Sequence, residues 1–252
     1  MSIDPRGKNV LVTGSNRGIG KAIAEAFLDA GVAKLYATAR DVGSLAPLVE
    51  AGEGRVTALP LDLADAATVS AAAGSAGDVH VVVNNGGVLR AGDPLSDDVL
   101  GNIDFEFDIN VKGLVRVAQA FVPILKANAS TEAPTALVQL NSVASLRNFA
   151  GFTSYCASKA AAYSLTQGLH DALRGDHVHV VSVHPGPIGT DMGDSAGFDE
   201  EMTEPPTVVA DSLLDGLRHG RFHVFPDKMA RDFWNAYQSF AQAVVEPAMS
   251  EG

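Results

Sequence analysis

The sequence predicts an α/β fold: a doubly wound parallel sheet of about seven strands with helices on both faces, formed by residues 1–252 as a single domain. Three observations predict it. Apolar runs alternate with helical patterns from end to end of the 252 residues. Most of these runs are unbroken and rich in Val and Leu, as strands are when helices cover both faces of their sheet. The first run also leads through a glycine-rich turn into a long amphipathic helix, the opening of a nucleotide-binding unit.

Strands are expected at 9–13, 34–38, 56–61, 80–84, 136–142, 177–184 and 222–225, and helices at 18–30, 44–51, 64–76, 95–128, 154–174, 207–218 and 228–243. The first helix repeats small or apolar residues at Ala22, Ile23, Ala26 and Phe27. The helix at 154–174 carries Ala157, Ala160, Ala161, Ala162, Ser164 and Gly168, small residues that let a second helix approach closely. Strands separated by helices imply right-handed crossovers between parallel strands. The stretch 186–206, rich in Gly, Pro, Asp and Glu, is long for a structureless connection and is expected to form a substrate loop. No repeat or linker marks a second domain.

Composition narrows the function. The net charge is −12 and no basic stripe is present, which argues against nucleic-acid binding. One Cys excludes an internal disulfide, and the seven His show no metal spacing, so no metal is expected. His177, His179 and His184 are read as partners of local polar groups, Cys156 as packing, and Asp97, Asp98, Asp104, Glu106 and Asp108 as a solvated helix face. The aromatic set Phe233, Trp234, Tyr237 and Phe240 reads as core or subunit packing, with closure over substrate as the alternative. No signal peptide or membrane-length apolar run is visible, so a cytoplasmic protein without membrane contact is expected.

The chemistry begins in the glycine turn Thr13-Gly14-Ser15-Asn16-Arg17-Gly18-Ile19-Gly20. Its spacing is G-x-x-x-G-x-G. Glycines let the backbone turn and approach a pyrophosphate, and the following helix N-terminus offers it N–H groups and partial positive charge. After the second strand, Arg40 and Arg17 suit the 2′-phosphate of NADP, because a guanidinium matches phosphate in bidentate geometry. NADP(H) is therefore the preferred cofactor. NAD(H) stays open, because Asp41 is one residue from presenting a carboxylate to the ribose. Asp62 and Leu63 follow the third strand, where Asp62 could reach the adenine edge or cap the next helix. Asn84-Asn85-Gly86-Gly87 ends the fourth strand, and its glycines would let a cofactor lie against the backbone.

Tyr155-Cys156-Ala157-Ser158-Lys159 puts a phenol and an amine on one helix face, about 6 Å apart along the axis. A lysine so placed can stabilise a tyrosinate and lower the phenol pKa from about 10. Ser142 precedes the tyrosine by 13 residues. Two hydroxyls aimed at a carbonyl oxygen are what hydride transfer to that carbonyl requires, since negative charge develops there.

Together with Asn110 and Pro185-Gly186-Pro187-Ile188-Gly189-Thr190, these motifs resemble the classical short-chain dehydrogenases/reductases, whose sheet is Rossmann-like. The resemblance runs from about Lys8 to Asp191 and departs at Gly86, where the family usually has Ala. It implies that Tyr155 is the general acid and Ser142 a second donor to the same oxygen. Lys159 would hold the nicotinamide ribose and depress the tyrosine pKa, and Asn110 would bind a relay water. Pro185, Gly186, Ile188 and Thr190 would border the nicotinamide. Family members commonly pair through the helices at 95–128 and 154–174, so a homodimer or homotetramer is expected.

For the substrate pocket, Leu146, Phe149, Phe152, Met192, Phe198 and Met202 are candidates, with Arg147 the one nearby cation. This set suits a small or medium hydrophobic ketone or aldehyde, or the matching secondary alcohol. A 3-oxoacyl thioester reductase and a catalytically silent nucleotide sensor are the alternatives. The acidity of the chain speaks against the first, and the intact Asn110, Ser142, Tyr155 and Lys159 against the second.

Overall fold

The structure, a computed structural model, describes residues 1–195, 197 and 200–247. Seven strands form one sheet in the order β3-β2-β1-β4-β5-β6-β7. They are β1 (Asn9–Val12), β2 (Lys34–Ala39), β3 (Val56–Pro60), β4 (Val81–Asn84), β5 (Thr135–Leu140), β6 (Val178–Val183) and β7 (His223–Val224). Every pairing is parallel, with Val10 beside Leu35 on one side and Val81 on the other. The winding reverses between β1 and β4, so the carboxyl ends of these two strands open a crevice, where such sheets bind ligands.

The helices are α1 (Gly18–Asp29), α2 (Ala46–Ala51), α3 (Ala66–Ser75), α4 (Val99–Glu106), α5 (Gly113–Asn128), α6 (Thr153–Ala172), α7 (Asp191–Ser195), α8 (Pro206–Arg218) and α9 (Lys228–Phe240). Two apolar layers sandwich the sheet. Phe27 of α1, Leu48 of α2 and Leu213 of α8 meet Val10, Val83 and Val183 on one face. Val69 of α3, Phe121 of α5 and Leu173 meet Leu11, Val82 and Val180 on the other. Alternate residues of each strand therefore enter opposite layers, and this explains the unbroken Val and Leu runs.

Strand positions and most helix ends agree with expectation to within a residue or two, and two helices depart further. The single helix expected at 95–128 is broken. Its first residues form an Asp93-centred turn, with Leu95 N donating to Asp93 Oδ1 at 2.8 Å. A π-helical turn, Phe107–Lys112, then separates α4 from α5. That turn carries Asn110 inward, where buried hydrogen bonds outweigh a regular helical ladder. The helix expected from 64 starts at Ala66 and is capped by Asp65, not Asp62, with Asp65 Oδ1 accepting from Ala67 N at 2.8 Å. The helix expected at 228–243 ends at Phe240 and passes into a second π turn, Ala241–Val245.

The acidic face on α4 is also not solvated throughout. Glu106 has no exposed surface and accepts from Arg90 N at 2.7 Å. Asp108 bonds Arg116 at 2.9 Å, and that guanidinium holds its carboxyl below the usual range. Glu106 turns inward to a backbone N–H, while Asp108 stays partly exposed between Arg116 and Lys112. The C-terminal aromatics do not enter the core: Phe233, Trp234 and Tyr237 stay partly exposed, Trp234 lying 5.2 Å from Phe225 and 5.4 Å from His223, and Phe240 is about half exposed. Among the described residues no helix is long and apolar enough to cross a membrane.

Candidate active site

At the end of β1 the chain turns at Gly14, whose φ of +65° lies in the left-handed region that glycine tolerates. Two turns later α1 starts directly against that loop. A Cβ at Gly20 would sit 2.1 Å from the Gly14 carbonyl oxygen, so no side chain fits there. Arg17 occupies the N-cap in extended conformation with no side-chain cap bond, and no acidic residue sits in the first turn. Among the described residues no side chain accepts from the first N–H groups of α1, the condition under which a helix start receives an anion. The loop is held from behind by Asn85, whose Nδ2 donates to Thr13 O at 2.9 Å while its N–H donates to Thr13 Oγ1 at 2.9 Å. Asn85 thus serves the shape of the loop with its side chain.

A cavity of about 1170 Å³ runs from this loop across the strand ends. Gly14, Asn16, Arg17, Gly18, Ile19 and Gly20 line its start, with Arg40, Asp62, Leu63 and Gly86 around them. Arg40 is exposed at this wall. Asp41 is engaged locally: its Oδ1 caps the 3₁₀ turn Val42–Leu45 by accepting from Gly43 N at 2.9 Å. Asp62 Oδ1 likewise accepts from Ala64 N at 2.9 Å. The Arg17 guanidinium reaches across to Asp191 at the start of α7, 2.6 Å away.

Further along, Pro185, Gly186, Ile188 and Thr190 form one wall. Gly186 N donates to Asp227 Oδ2 at 2.6 Å, and Asp227 Oδ1 caps α9 by accepting from Ala230 N at 2.9 Å. The buried Asp227 therefore fastens this wall to the C-terminal helix.

Ser142, Tyr155 and Lys159 face the same cavity. Ser142 follows β5, accepting from Ala144 N at 3.1 Å and donating to Pro185 O at 3.3 Å. Lys159 is 6% exposed and donates to Leu140 O at 2.9 Å, with its Nζ 5.8 Å from the Tyr155 ring centre. Burial pushes the Tyr155 phenol up to about 12, against the lowering effect of its hydrogen bond with Ser142. Burial also pulls the Lys159 amine down to about 8. The expected depression of the phenol is thus not present in this arrangement, because desolvation dominates and the ammonium is turned to a carbonyl. Asn110 stands behind this wall. Its Nδ2 donates to Val88 O and Ser158 Oγ, both at 2.9 Å, and its Oδ1 accepts from Val88 N at 2.9 Å. Both amide hydrogens are engaged, so holding a water falls to its remaining acceptor sites.

On the substrate side Phe149, Phe152, Met192 and Met202 line the cavity as expected. Leu146 does not. The 3₁₀ turn Val143–Ser145 after Ser142 presents Val143 and Ala144 to the cavity, and Leu146 closes that turn away from it. Arg147 lies over the Phe149 ring, 5.7 Å from its centre. Phe198 falls outside the described residues. Cys156, read as packing, is buried and also lines the cavity, its Sγ accepting from Phe149 N at 3.3 Å. Sequence reading missed Leu89 and Met229, and the carboxylates of Glu201, Glu204 and Asp232 at the mouth. No local motif marks these residues, which arrive from separate loops and α9.

A family model described as short chain dehydrogenase matches residues 8–201. The chain is 31% identical over 222 residues to the L-xylulose reductase of Bos taurus, covering 88% of this chain and 86% of that one. A short chain dehydrogenase of Burkholderia cenocepacia J2315, solved in complex with NADP, superposes with a TM-score of 0.83 at 27% identity, covering 97% of this chain and 100% of that one. The NADPH-bound carbonyl reductase from chicken fatty liver superposes with a TM-score of 0.76 at 28% identity, covering 84% of this chain and 92% of that one.

Proposed function

The chain belongs to the short-chain dehydrogenase family, and from that premise we propose that it is an NADP(H)-dependent carbonyl reductase or alcohol dehydrogenase. Its substrate would be a small or medium hydrophobic ketone or aldehyde, or the matching secondary alcohol. The observation that carries this reading is one continuous cavity with Ser142, Tyr155 and Lys159 on one wall and Arg17, Arg40 and the start of α1 at one end. The residues present fit a dinucleotide: a side-chain-free approach at Gly20, a helix start free of carboxylates, and two guanidinium groups. NADP-bound and NADPH-bound relatives of similar fold support the choice of cofactor.

When bound, the nicotinamide supplies or accepts the hydride. The chain supplies the rest. Ser142 and Tyr155 hydroxyls hold the carbonyl oxygen, where negative charge grows, and Tyr155 donates the proton that completes the alcohol. A Lys159 ammonium redirected from Leu140 O toward Tyr155 would stabilise the tyrosinate that proton donation leaves and that takes the alcohol proton in the reverse direction. Arg40 and Arg17 take the 2′-phosphate, which requires Arg17 to exchange Asp191 for it.

Val143, Phe149 and Phe152 make the reacting end apolar, and this supports a hydrophobic carbonyl substrate. The carboxylates Glu201, Glu204 and Asp232 at the mouth oppose a polyanionic carrier such as an acyl thioester. Following NADPH and NADH oxidation across aliphatic and aromatic ketones, aldehydes, short sugars and 3-oxo esters tests the reading. Turnover of apolar carbonyls with NADPH is expected. Cofactor binding without turnover of any of them would favour the silent sensor instead.

A further inference from the structure

Ser142 is the donor whose aim matters most in this reading, and the residues that aim it come from the next strand. The peptide unit that follows Ser142 is held at both ends. Its N–H, that of Val143, donates to Pro185 O at 2.9 Å. Its carbonyl, that of Ser142, lies 3.2 Å from Nδ1 of His184. Consecutive residues after β6 thus clamp one plane, and the Ser142 hydroxyl leaves the chain directly beside it.

The His184 ring is fixed in turn. It has no exposed surface. It stacks on Phe225 with ring centres 4.7 Å apart and meets Tyr163 edge-on, also at 4.7 Å. Its Nε2 lies 2.7 Å from Ser182 Oγ, which accepts from Asn141 Nδ2 at 2.8 Å. Its Nδ1 lies 3.0 Å from Ser145 Oγ, and the Ser145 hydroxyl donates to Ser142 O at 2.5 Å.

Only one proton arrangement pairs every contact. The Ser142 oxygen can only accept, so Nδ1 must carry the hydrogen. Ser145 Oγ then accepts from Nδ1 while giving its own hydrogen to Ser142 O, and Ser182 gives its hydrogen to Nε2. The opposite tautomer would set two lone pairs against each other across 3.2 Å. Burial pushes the imidazole down to about 3, so the ring stays neutral through the working pH range.

We infer that His184 is a positioning residue for the reaction, its Nδ1–H fixing the peptide after Ser142 and so the aim of the Ser142 hydroxyl. The inference rests on the reading of Ser142 as a donor to the substrate oxygen.

The experiment measures kcat, KM and NADPH affinity for His184→Leu, His184→Asn and Ser142→Ala, and for Ser142→Ala combined with His184→Leu. Loss of aim at the reacting centre is expected to lower kcat of His184→Leu roughly 10- to 100-fold, with NADPH affinity held. Asn can place an amide N–H where Nδ1 stood, so His184→Asn should recover most of that loss. In the Ser142→Ala background, His184→Leu should cost less than about 3-fold, because residues that act as a unit are not additive. An Asn variant as slow as the Leu variant, or a full further loss without the serine, overturns the inference. The ¹⁵N imidazole spectrum of the wild-type protein tests it without turnover: a hydrogen on Nδ1 supports it and a hydrogen on Nε2 overturns it. An inert Ser142→Ala substitution would instead sink the reading of Ser142 itself.

Discussion

At the residue scale, the balance between Tyr155 and Lys159 sets a pH dependence. The phenol is pushed up to about 12 and the amine down to about 8, both chiefly by burial. Tyr155 therefore keeps its proton at neutral pH, as a general acid for reduction must. Lys159 loses its charge as pH rises through about 8. Reductive kcat/KM is expected to fall above that value, and a flat profile to pH 9.5 would show that the lysine charge does not matter. Tyr155→Phe keeps the ring and removes the proton, so reduction should drop about 10²- to 10⁴-fold with NADPH binding retained. Arg40 makes a separable claim. Arg40→Asp should raise the KM for NADPH and favour NADH, because a carboxylate repels a 2′-phosphate and accepts from a ribose hydroxyl. Unchanged KM for NADPH would remove Arg40 from the phosphate site. Asp41 does not oppose this prediction, since its carboxylate is turned to Gly43 N.

At the scale of elements, Asp227 joins two functions in one buried side chain. It caps α9 through Ala230 N and holds Gly186 N at the cavity wall formed with Pro185, Ile188 and Thr190. A Cβ on Gly186 would lie 2.5 Å from Asp227 Oδ1, so the two residues are fitted to each other. Asp227→Ala should cost at least the ~1 kcal/mol of a helix cap and also weaken cofactor binding. Asp227→Asn keeps an acceptor oxygen and should lose less of both. Calorimetry with and without NADPH reads the two effects apart, and a loss of stability with unchanged NADPH affinity would confine Asp227 to capping. The same scale shows what the sequence makes legible. Strands were readable because sheet burial writes Val and Leu runs such as Val81–Val83 into the chain. The site was readable wherever its members share a local motif, as Gly14 to Gly20 and Tyr155 to Lys159 do. The π turn at Asn110 was not, because what breaks the helix is a set of bonds to Val88 and Ser158, far off in sequence. Leu146 failed for the complementary reason: a 3₁₀ turn three residues long decides which neighbours of Ser142 face the cavity.

At the scale of the whole molecule, the doubly wound sheet gathers side chains from β5, β6, β7 and α6 into one buried polar and aromatic layer behind the site. His184 belongs to that layer and has no exposed surface, while His179, on the opposite face of β6, is 5% exposed. Burial pushes their imidazoles down to about 3 and about 4, from the ordinary 6.5. The sign of the consequence follows from proton counting. Between pH 4 and 6.5 the unfolded chain takes up a proton on each ring while the folded chain does not. Stability therefore rises with pH across this window and is lost as pH falls from 6.5 toward 4, with a limiting slope of ~2.7 kcal/mol per pH unit for two rings. Denaturant unfolding at pH 7, 6, 5 and 4.5 should show a slope at least this steep, since burial lowers His170 to about 4 as well, and His184→Leu should reduce it by one ring's share, ~1.4 kcal/mol per pH unit. Stability independent of pH over that range would mean that these rings are protonated or solvated in the folded state. Such an outcome would also disturb the clamp on Ser142, since an imidazolium at position 184 would carry a second N–H where Ser182 now donates.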